Sequence, residues 1–271
     1  MNRLGALIAT GGTAEIYAWL DDRVVKLYWS GAAASAAAQE AAHAGAANVA
    51  GAPTPRAIEL VTVDGRPGVV FERAPGPSMQ ETLLAEPRRT EELARQFAEL
   101  HADLHQRTPR DLPSQHQHLT RRIKLASIGG RARSVILSAL KTLPHGHSLC
   151  HGDFHPGNVR GEGGDYRILD WADSAIGNPL LDLRPTLEYL SGAERAEVVE
   201  AFVTGWQRTL PGCDARRAAE LAAPLGPLLG AVTYRRFLDN IEPSERPYHD
   251  GDPARALRRA IEITDVATTL A

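Results

Sequence analysis

Short runs of apolar and aromatic positions open the chain, separated by turn residues. Leu7-Ile8-Ala9, Glu15-Ile16-Tyr17-Ala18-Trp19-Leu20 and Arg23-Val24-Val25-Lys26-Leu27-Tyr28-Trp29 carry the β-branched and aromatic side chains that favour strands. The Asp21-Asp22 pair between the last two favours a tight turn. Residues 30–48 are dense in alanine and predict a helix with Ser30 as its cap, ended by Gly51-Ala52-Pro53-Thr54-Pro55. Two more strands are expected over 57–63 and 68–72, joined by an Asp64-Gly65 hairpin turn.

The pattern changes at Ala74-Pro75-Gly76-Pro77. Ser78-Met79-Gln80-Glu81 has the form of a capping box, in which the serine hydroxyl and the glutamate side chain satisfy each other's backbone N–H groups. From Thr90, Leu93, Phe97, Leu100 and Leu104 recur on one helical face, which must stop before Pro109. A His- and Arg-rich stretch follows, then strand signals at Ser148-Leu149-Cys150, at Val159 and at Tyr166-Arg167-Ile168-Leu169. Beyond Leu180 the chain reads mainly as helices. The expectation is an α+β fold of two lobes: a small antiparallel sheet with one helix over 1–74, and a larger, mainly helical lobe over 75–271.

Composition narrows the function classes. At 271 residues, 43% hydrophobic and 23% charged, the chain can bury a core and is not disordered. A formal charge of −3 gives no strongly basic surface, so no nucleic-acid partner is expected. Two cysteines, Cys150 and Cys213, do not make a stapled scaffold. No apolar run approaches the roughly 20 residues of a membrane span, and Met1 to Gly5 do not begin a signal peptide. The expected setting is the cytoplasm, with no membrane and no obligate protein partner. Lys26, Lys124 and Lys141 are the only lysines among 30 Lys+Arg, so a lysine inside an apolar strand stands out.

The chemistry is concentrated in His151-Gly152-Asp153-Phe154-His155-Pro156-Gly157-Asn158 and in Ile168-Leu169-Asp170-Trp171. Phosphoryl transfer needs hard oxygen ligands for Mg²⁺, which an amide and a carboxylate supply, and a second carboxylate near the acceptor hydroxyl. A hairpin between Asn158 and Asp170 would return the second beside the first. Asp and Gly-Asn are also ordinary turn residues, which accounts for any one position but not for the set.

His-Gly-Asp-x-His-x-x-Asn followed by Ile-Leu-Asp-Trp resembles the aminoglycoside phosphotransferase and choline kinase-like family, small-molecule kinases with a protein-kinase-like fold. The resemblance spans roughly Leu7 to Asp182. It implies Asp153 as catalytic base, Asn158 and Asp170 as Mg²⁺ ligands, and ATP as co-substrate. It further implies that Lys26 meets the ATP phosphates, that Val24 on the same strand face lies near adenine, and that Glu40 pairs with Lys26. A solvated helix glutamate is the rival reading of Glu40. Gly11-Gly12-Thr13 resembles the nucleotide-covering loop, although any hairpin holds glycines. Glu72 and Ala74 resemble a hinge whose backbone carbonyl and N–H would bond adenine.

His101 and His105, four apart on a helix, have a zinc-compatible spacing, but Ala102 follows His101 and His-Glu-x-x-His is absent. They are expected to be packing residues. His151 is expected to brace the loop backbone and Asp182 to hold the loop from below. Cys150 is expected to be a small buried residue. Gly152 in place of an arginine, and Trp171-Ala172 in place of Phe-Gly, disfavour a protein kinase. The expected acceptor is a small hydroxylated molecule, of aminoglycoside type in the first instance, with antibiotic resistance as one physiological setting. Choline, a sugar or another metabolite is the alternative acceptor, and Asp239 and Glu242 are candidate pocket residues. A catalytically silent nucleotide-binding protein and a metal-dependent hydrolase are the competing classes.

Overall fold

The computed structural model describes residues 4–20, 22–29, 34–125, 130–142, 145–182, 194–212, 214–216, 246–251, 254–256 and 258. Ser30, Asp21, Cys213 and the 234–245 segment with Asp239 and Glu242 lie outside the described residues. Five antiparallel strands come first: β1 (Leu4–Thr10), β2 (Ala14–Trp19), β3 (Arg23–Tyr28), β4 (Ala57–Val63) and β5 (Arg66–Glu72), ordered β1-β2-β3-β5-β4. Helix α1 (Ala34–Val49) crosses between β3 and β4. The β4–β5 turn is Asp64-Gly65, as the dipeptide predicts, and both residues have the positive φ that such a turn requires.

Alternation on β3 divides the sheet's two faces. Val25 and Leu27 pack with Trp19 and Val70 on one side. Tyr28 packs with Ala14, Ala37 and Val69 on the side that α1 covers. Lys26, two residues from Tyr28, therefore points under α1, a placement that demands a partner for its charge.

The capping box closes as its sequence implies. Ser78 Oγ accepts from Glu81 N at 3.1 Å, and Glu81 Oε2 accepts from Ser78 N at 2.6 Å, which opens α2 (Met79–Ala85). Helix α3 (Thr90–His105) ends before Pro109 and buries Leu93, Phe97 and Leu104, with Leu100 partly covered. Helices α4 (Gln115–Leu125) and α5 (Gly130–Thr142) form a hairpin. Then come β6 (Ser148–Cys150), β7 (Val159–Glu162), β8 (Asp165–Ile168), β9 (Ala175–Gly177), α6 (Pro179–Asp182) and α7 (Glu194–Thr209). Strands β6 and β9 pair, and β7 pairs with β8. Strand β8 stops at Ile168, one residue short of the expectation, because Asp170 turns the chain with φ 60°.

The largest core lies in this second part, where α3 packs along α7. Phe97, Phe154, Trp171, Phe202 and Trp206 fill it, with Leu149 and Ile168 from the strands that flank the motif. Among the described residues no helix is long and apolar enough to cross a membrane. Phe97 is 3% exposed and lies 4.5 Å, ring to ring, from Phe154, the residue after Asp153. Phe97→Ala is expected to cost about 3–5 kcal/mol, the range for emptying a buried phenylalanine site. A urea melt reads this as a fall in midpoint at unchanged slope.

Candidate active site

The β3 register carries Lys26 to a meeting point of three elements. Its Nζ lies 3.0 Å from Glu40 Oε1 and 2.8 Å from Glu40 Oε2 on α1, and 3.0 Å from Asp170 Oδ2 on the turn after β8. Lys26 and Glu40 are both buried. Glu40 is thus no solvated helix residue. Tyr28, one step along the same strand face, donates its hydroxyl to Glu40 Oε2. Burial lowers the Lys26 pKa, and the Asp170 and Glu40 carboxylates more than reverse this and raise it. Burial raises Glu40, and the ammonium does not fully offset it. Burial also raises Asp170, but there Lys26 wins and the carboxyl is held below its ordinary range. One ammonium therefore serves two carboxylates, and Glu40 takes the Tyr28 phenol as well.

The second assembly is the loop after β6. Gly152 takes φ 84°, and a Cβ there would sit 2.3 Å from Asp173 O, so the turn admits only glycine. Asn158 Nδ2 donates to Asp153 O at 3.0 Å, and Leu169 N donates to Asn158 O at 2.8 Å. These bonds close the loop on itself and stitch it to the approach of Asp170. With its amide nitrogen so used, the Asn158 amide oxygen is the group left to meet a hard cation. Asp153 is half-exposed, and His155 Nε2 lies 3.7 Å from its Oδ2. Burial lowers the His155 pKa, against the pull of Asp153.

His151 braces the loop through both ring nitrogens. Its Nδ1 accepts from Asp153 N at 3.2 Å and its Nε2 donates to Leu169 O at 2.8 Å. Neither nitrogen is left for a metal, which removes His151 from a hydrolytic metal set. Asp182, fully buried, holds the same loop from α6. Its Oδ2 accepts from His151 N at 2.8 Å, and its Oδ1 accepts from Gly152 N at 2.5 Å. His101 and His105 Nε2 approach Oδ2 at 3.1 and 3.2 Å. The two histidines and Asp182 have the ligand types of a zinc site. Their contacts are hydrogen bonds to an oxygen already shared with a backbone N–H, and His101 also stacks on Phe154 at 4.1 Å. They are packing and bracing residues. Burial raises the Cys150 thiol well above its ordinary range, so it is no nucleophile.

The remaining expected positions lie in the five-stranded sheet and just after it. Gly11, Gly12 and Thr13 link β1 to β2, and Trp29 ties them to the end of β3 through Nε1 to Gly12 O at 2.9 Å and N to Thr13 O at 3.3 Å. Val24 lies on β3 opposite Phe71. The Glu72 side chain is taken by Arg56, whose Nε lies 2.6 Å away, so only its backbone is available to a ligand. Ala74 N makes no backbone hydrogen bond among the described residues. Tyr28 and Trp29 make contacts with expected site residues that the sequence reading passed over, because an aromatic at a strand end is an ordinary strand residue. The alternation that pairs Lys26 with Tyr28 on one face was the available signal for the former.

A family model described as the phosphotransferase enzyme family matches residues 7–221. The chain belongs to that family. It is an enzyme of the small-molecule phosphotransferase kind, moving phosphate to hydroxyl groups. No curated protein matches the chain in sequence. Among solved structures, an aminoglycoside-3'-phosphotransferase of type VIII is similar at 18% identity, covering 82% of this chain and 94% of that one, with a TM-score of 0.58. The ADP-bound aminoglycoside phosphotransferase APH(2'')-Ib is similar at 15% identity, covering 96% and 93%, with a TM-score of 0.59. A protein from Haemophilus somnus assigned as a fructosamine-3-kinase is similar at 12% identity, covering 95% and 90%, with a TM-score of 0.59. At these identities the likeness establishes the kinase-like fold of the phosphotransferase.

The Asp182 brace makes the phosphotransferase acid-sensitive. Burial, with the neighbouring His105, lowers the His101 pKa to about 4, so the unfolded chain binds a proton that the folded one refuses between about pH 6.5 and pH 4. Stability is therefore present above about pH 6.5 and is lost as pH falls through that window. Asp182 is held well below its ordinary value, against burial, by His101 and His105, and adds a loss of the same sign at lower pH. Urea melts should show a fall of about 2 kcal/mol from pH 7 to pH 5. The slope should flatten in His101→Gln.

Proposed function

We propose that the protein transfers the γ-phosphate of ATP, with Mg²⁺, to a hydroxyl of a small molecule. The observation that carries this reading is the meeting of Lys26, Glu40 and Asp170 within 3.0 Å, beside a loop that fixes Asp153 and Asn158. An ammonium fixed between carboxylates is positioned to hold nucleotide phosphates, and Asn158 and Asp170 offer an amide and a carboxylate oxygen to a hard cation. Bound there, Mg²⁺ would neutralise charge on the phosphates. The ADP and ATP named with two of the similar structures support the nucleotide.

In this reading residues 1–74 form the nucleotide lobe and 75–271 the catalytic and acceptor lobe. Gly11, Gly12 and Thr13 cover the phosphates, Val24 borders adenine, and the Glu72 carbonyl and Ala74 N–H bond its edge. Asp153 orients the acceptor hydroxyl and takes its proton as bonding develops. In a loose transition state the deprotonation is late, so a carboxylate of ordinary basicity is enough. Similar structures are named with aminoglycosides, a macrolide and fructosamine, so the shared element is the hydroxyl rather than one acceptor. An aminoglycoside is the first class to test, in a Mg-ATP screen read by mass gain.

Two outcomes follow from the assigned roles. Lys26→Met should weaken ATP use strongly while the protein stays folded, and Lys26→Arg should not restore it, because a planar fork does not replace a compact ammonium. Isothermal titration with ATP, with circular dichroism for the fold, checks both. Asp153→Asn should lower turnover by about 10²–10⁴ with ATP affinity little changed, as for loss of a general base. Wild-type turnover in Asp153→Asn would move the chemistry elsewhere, and nucleotide binding without any phosphorylated acceptor would favour a silent nucleotide-binding protein.

A further inference from the structure

From Leu112 to Gly152 the chain carries no Asp or Glu, although it holds 33 of them in all. The same stretch carries Arg121, Arg122, Lys124, Arg131, Arg133 and Lys141. Two of the chain's three lysines are among them. A net charge of −3 thus conceals one strongly cationic segment. It folds as the α4–α5 hairpin, inserted between α3 and β6.

The two helices enclose a groove of about 570 Å³ lined by His116, Thr120, Arg121, Lys124, Leu137 and Lys141. Several arginines outside the hairpin sit against a carboxylate: Arg56 against Glu72, Arg89 against Glu92, Arg107 against Asp103 and Arg167 against Asp165. Among the described residues Arg121, Lys124 and Lys141 have no such carboxylate. Like charges gathered around one concavity repel, and an anion entering it relieves that repulsion. Leu137 and the lysine methylene stems give the groove an apolar wall. That shape suits a small organic anion better than a long polyanion, which a flat basic stripe would serve.

The hairpin is fastened to the strands of the catalytic motif. Ile176 N donates to Pro113 O at 2.8 Å, and Asn178 N donates to Gln115 Oε1 at 2.8 Å. The His116 ring lies 4.7 Å from that of His145, just ahead of β6. Strand β6 ends three residues before Asp153, and β9 begins five residues after Asp170. We propose that the groove between α4 and α5 binds the phosphate or carboxylate group of a small hydroxylated molecule. On the phosphotransfer reading, on which this part rests, that molecule is the acceptor. A polycationic acceptor such as an aminoglycoside is repelled by this surface, so the proposal points the acceptor search toward sugar phosphates and hydroxy acids.

The test is a calorimetric titration with glucose 6-phosphate, gluconate and neutral glucose, run with and without saturating Mg-ADP. At least one anionic probe should bind and glucose should not. Lys124→Ala/Lys141→Ala removes two exposed side chains, so the fold should hold; the anion should bind at least about tenfold more weakly, as expected on losing charge-assisted bonds. ADP affinity and the urea midpoint should not move. Equal anion affinity in the double variant overturns the proposal. So does failure of both anionic probes at millimolar concentration. If Mg-ADP fails to bind, the nucleotide reading falls by itself, and the titration without nucleotide still judges the groove. A probe that binds should also be the better acceptor with Mg-ATP, its KM rising in the double variant; binding with aminoglycosides alone phosphorylated would overturn the acceptor assignment.

Discussion

One buried carboxylate organises the loop that carries Asp153 and Asn158. Asp182 gathers two histidines from α3 and two backbone N–H groups from the loop after β6. An ionised group without solvent must be fully partnered, and the donors that satisfy it are the ones that fix the loop. His151, held at its backbone by Asp182, then holds Asp153 N and Leu169 O with its ring. The position of Asp153 relative to Asp170 is therefore set by a chain of short polar contacts that starts in the core, under Phe154 and Trp206. His101 stacks on Phe154 and His105 meets Trp206 edge-on, so the polar brace is packed as tightly as the apolar core around it.

A second constraint joins the sheet to this brace. Lys26 reaches from β3 to Asp170, Gln39 Nε2 donates from α1 to Ala172 O at 2.8 Å, and Ser174 Oγ meets His43 Nδ1 at 3.2 Å. All three contacts fall on the few residues after β8. The turn at Asp170 is thus the point where the two halves of the chain register against each other. The αL conformation of that residue, which aspartate tolerates better than most side chains, aims its carboxylate back at the lysine.

Much of this was legible in the sequence because it is local. Strand alternation gave the five-stranded sheet, the Asp64-Gly65 turn and the capping box fell where their side-chain chemistry puts them, and the motif residues lie within a few positions of one another. The Lys26–Glu40 pair was legible only through the family resemblance, since the residues alone left Glu40 open to being a solvated helix glutamate. What escaped was the product of distant pairing. Nothing in α3 shows that His101 and His105 share an oxygen 77 or more residues away. Tyr28 looked like strand filling until Glu40 came beneath it. The run of residues 112–152 without Asp or Glu was there to read behind the near-neutral total charge, but the groove it lines forms only when α4 and α5 pack together. The Asp170 turn likewise cut β8 short of Leu169 for a backbone reason that side-chain propensity does not carry.

Gly152 has a consequence for how such an enzyme can be governed over evolutionary time. Kinases that respond to modification of their own chain read the added phosphate with a basic residue placed before the catalytic aspartate. Here that position is walled off by the Asp173 carbonyl, and any β-carbon would have to displace backbone that also carries the Asp170 turn. The adjoining segment is short and already committed to β9. Point substitution at Gly152 cannot supply that basic residue without moving the backbone around Asp173.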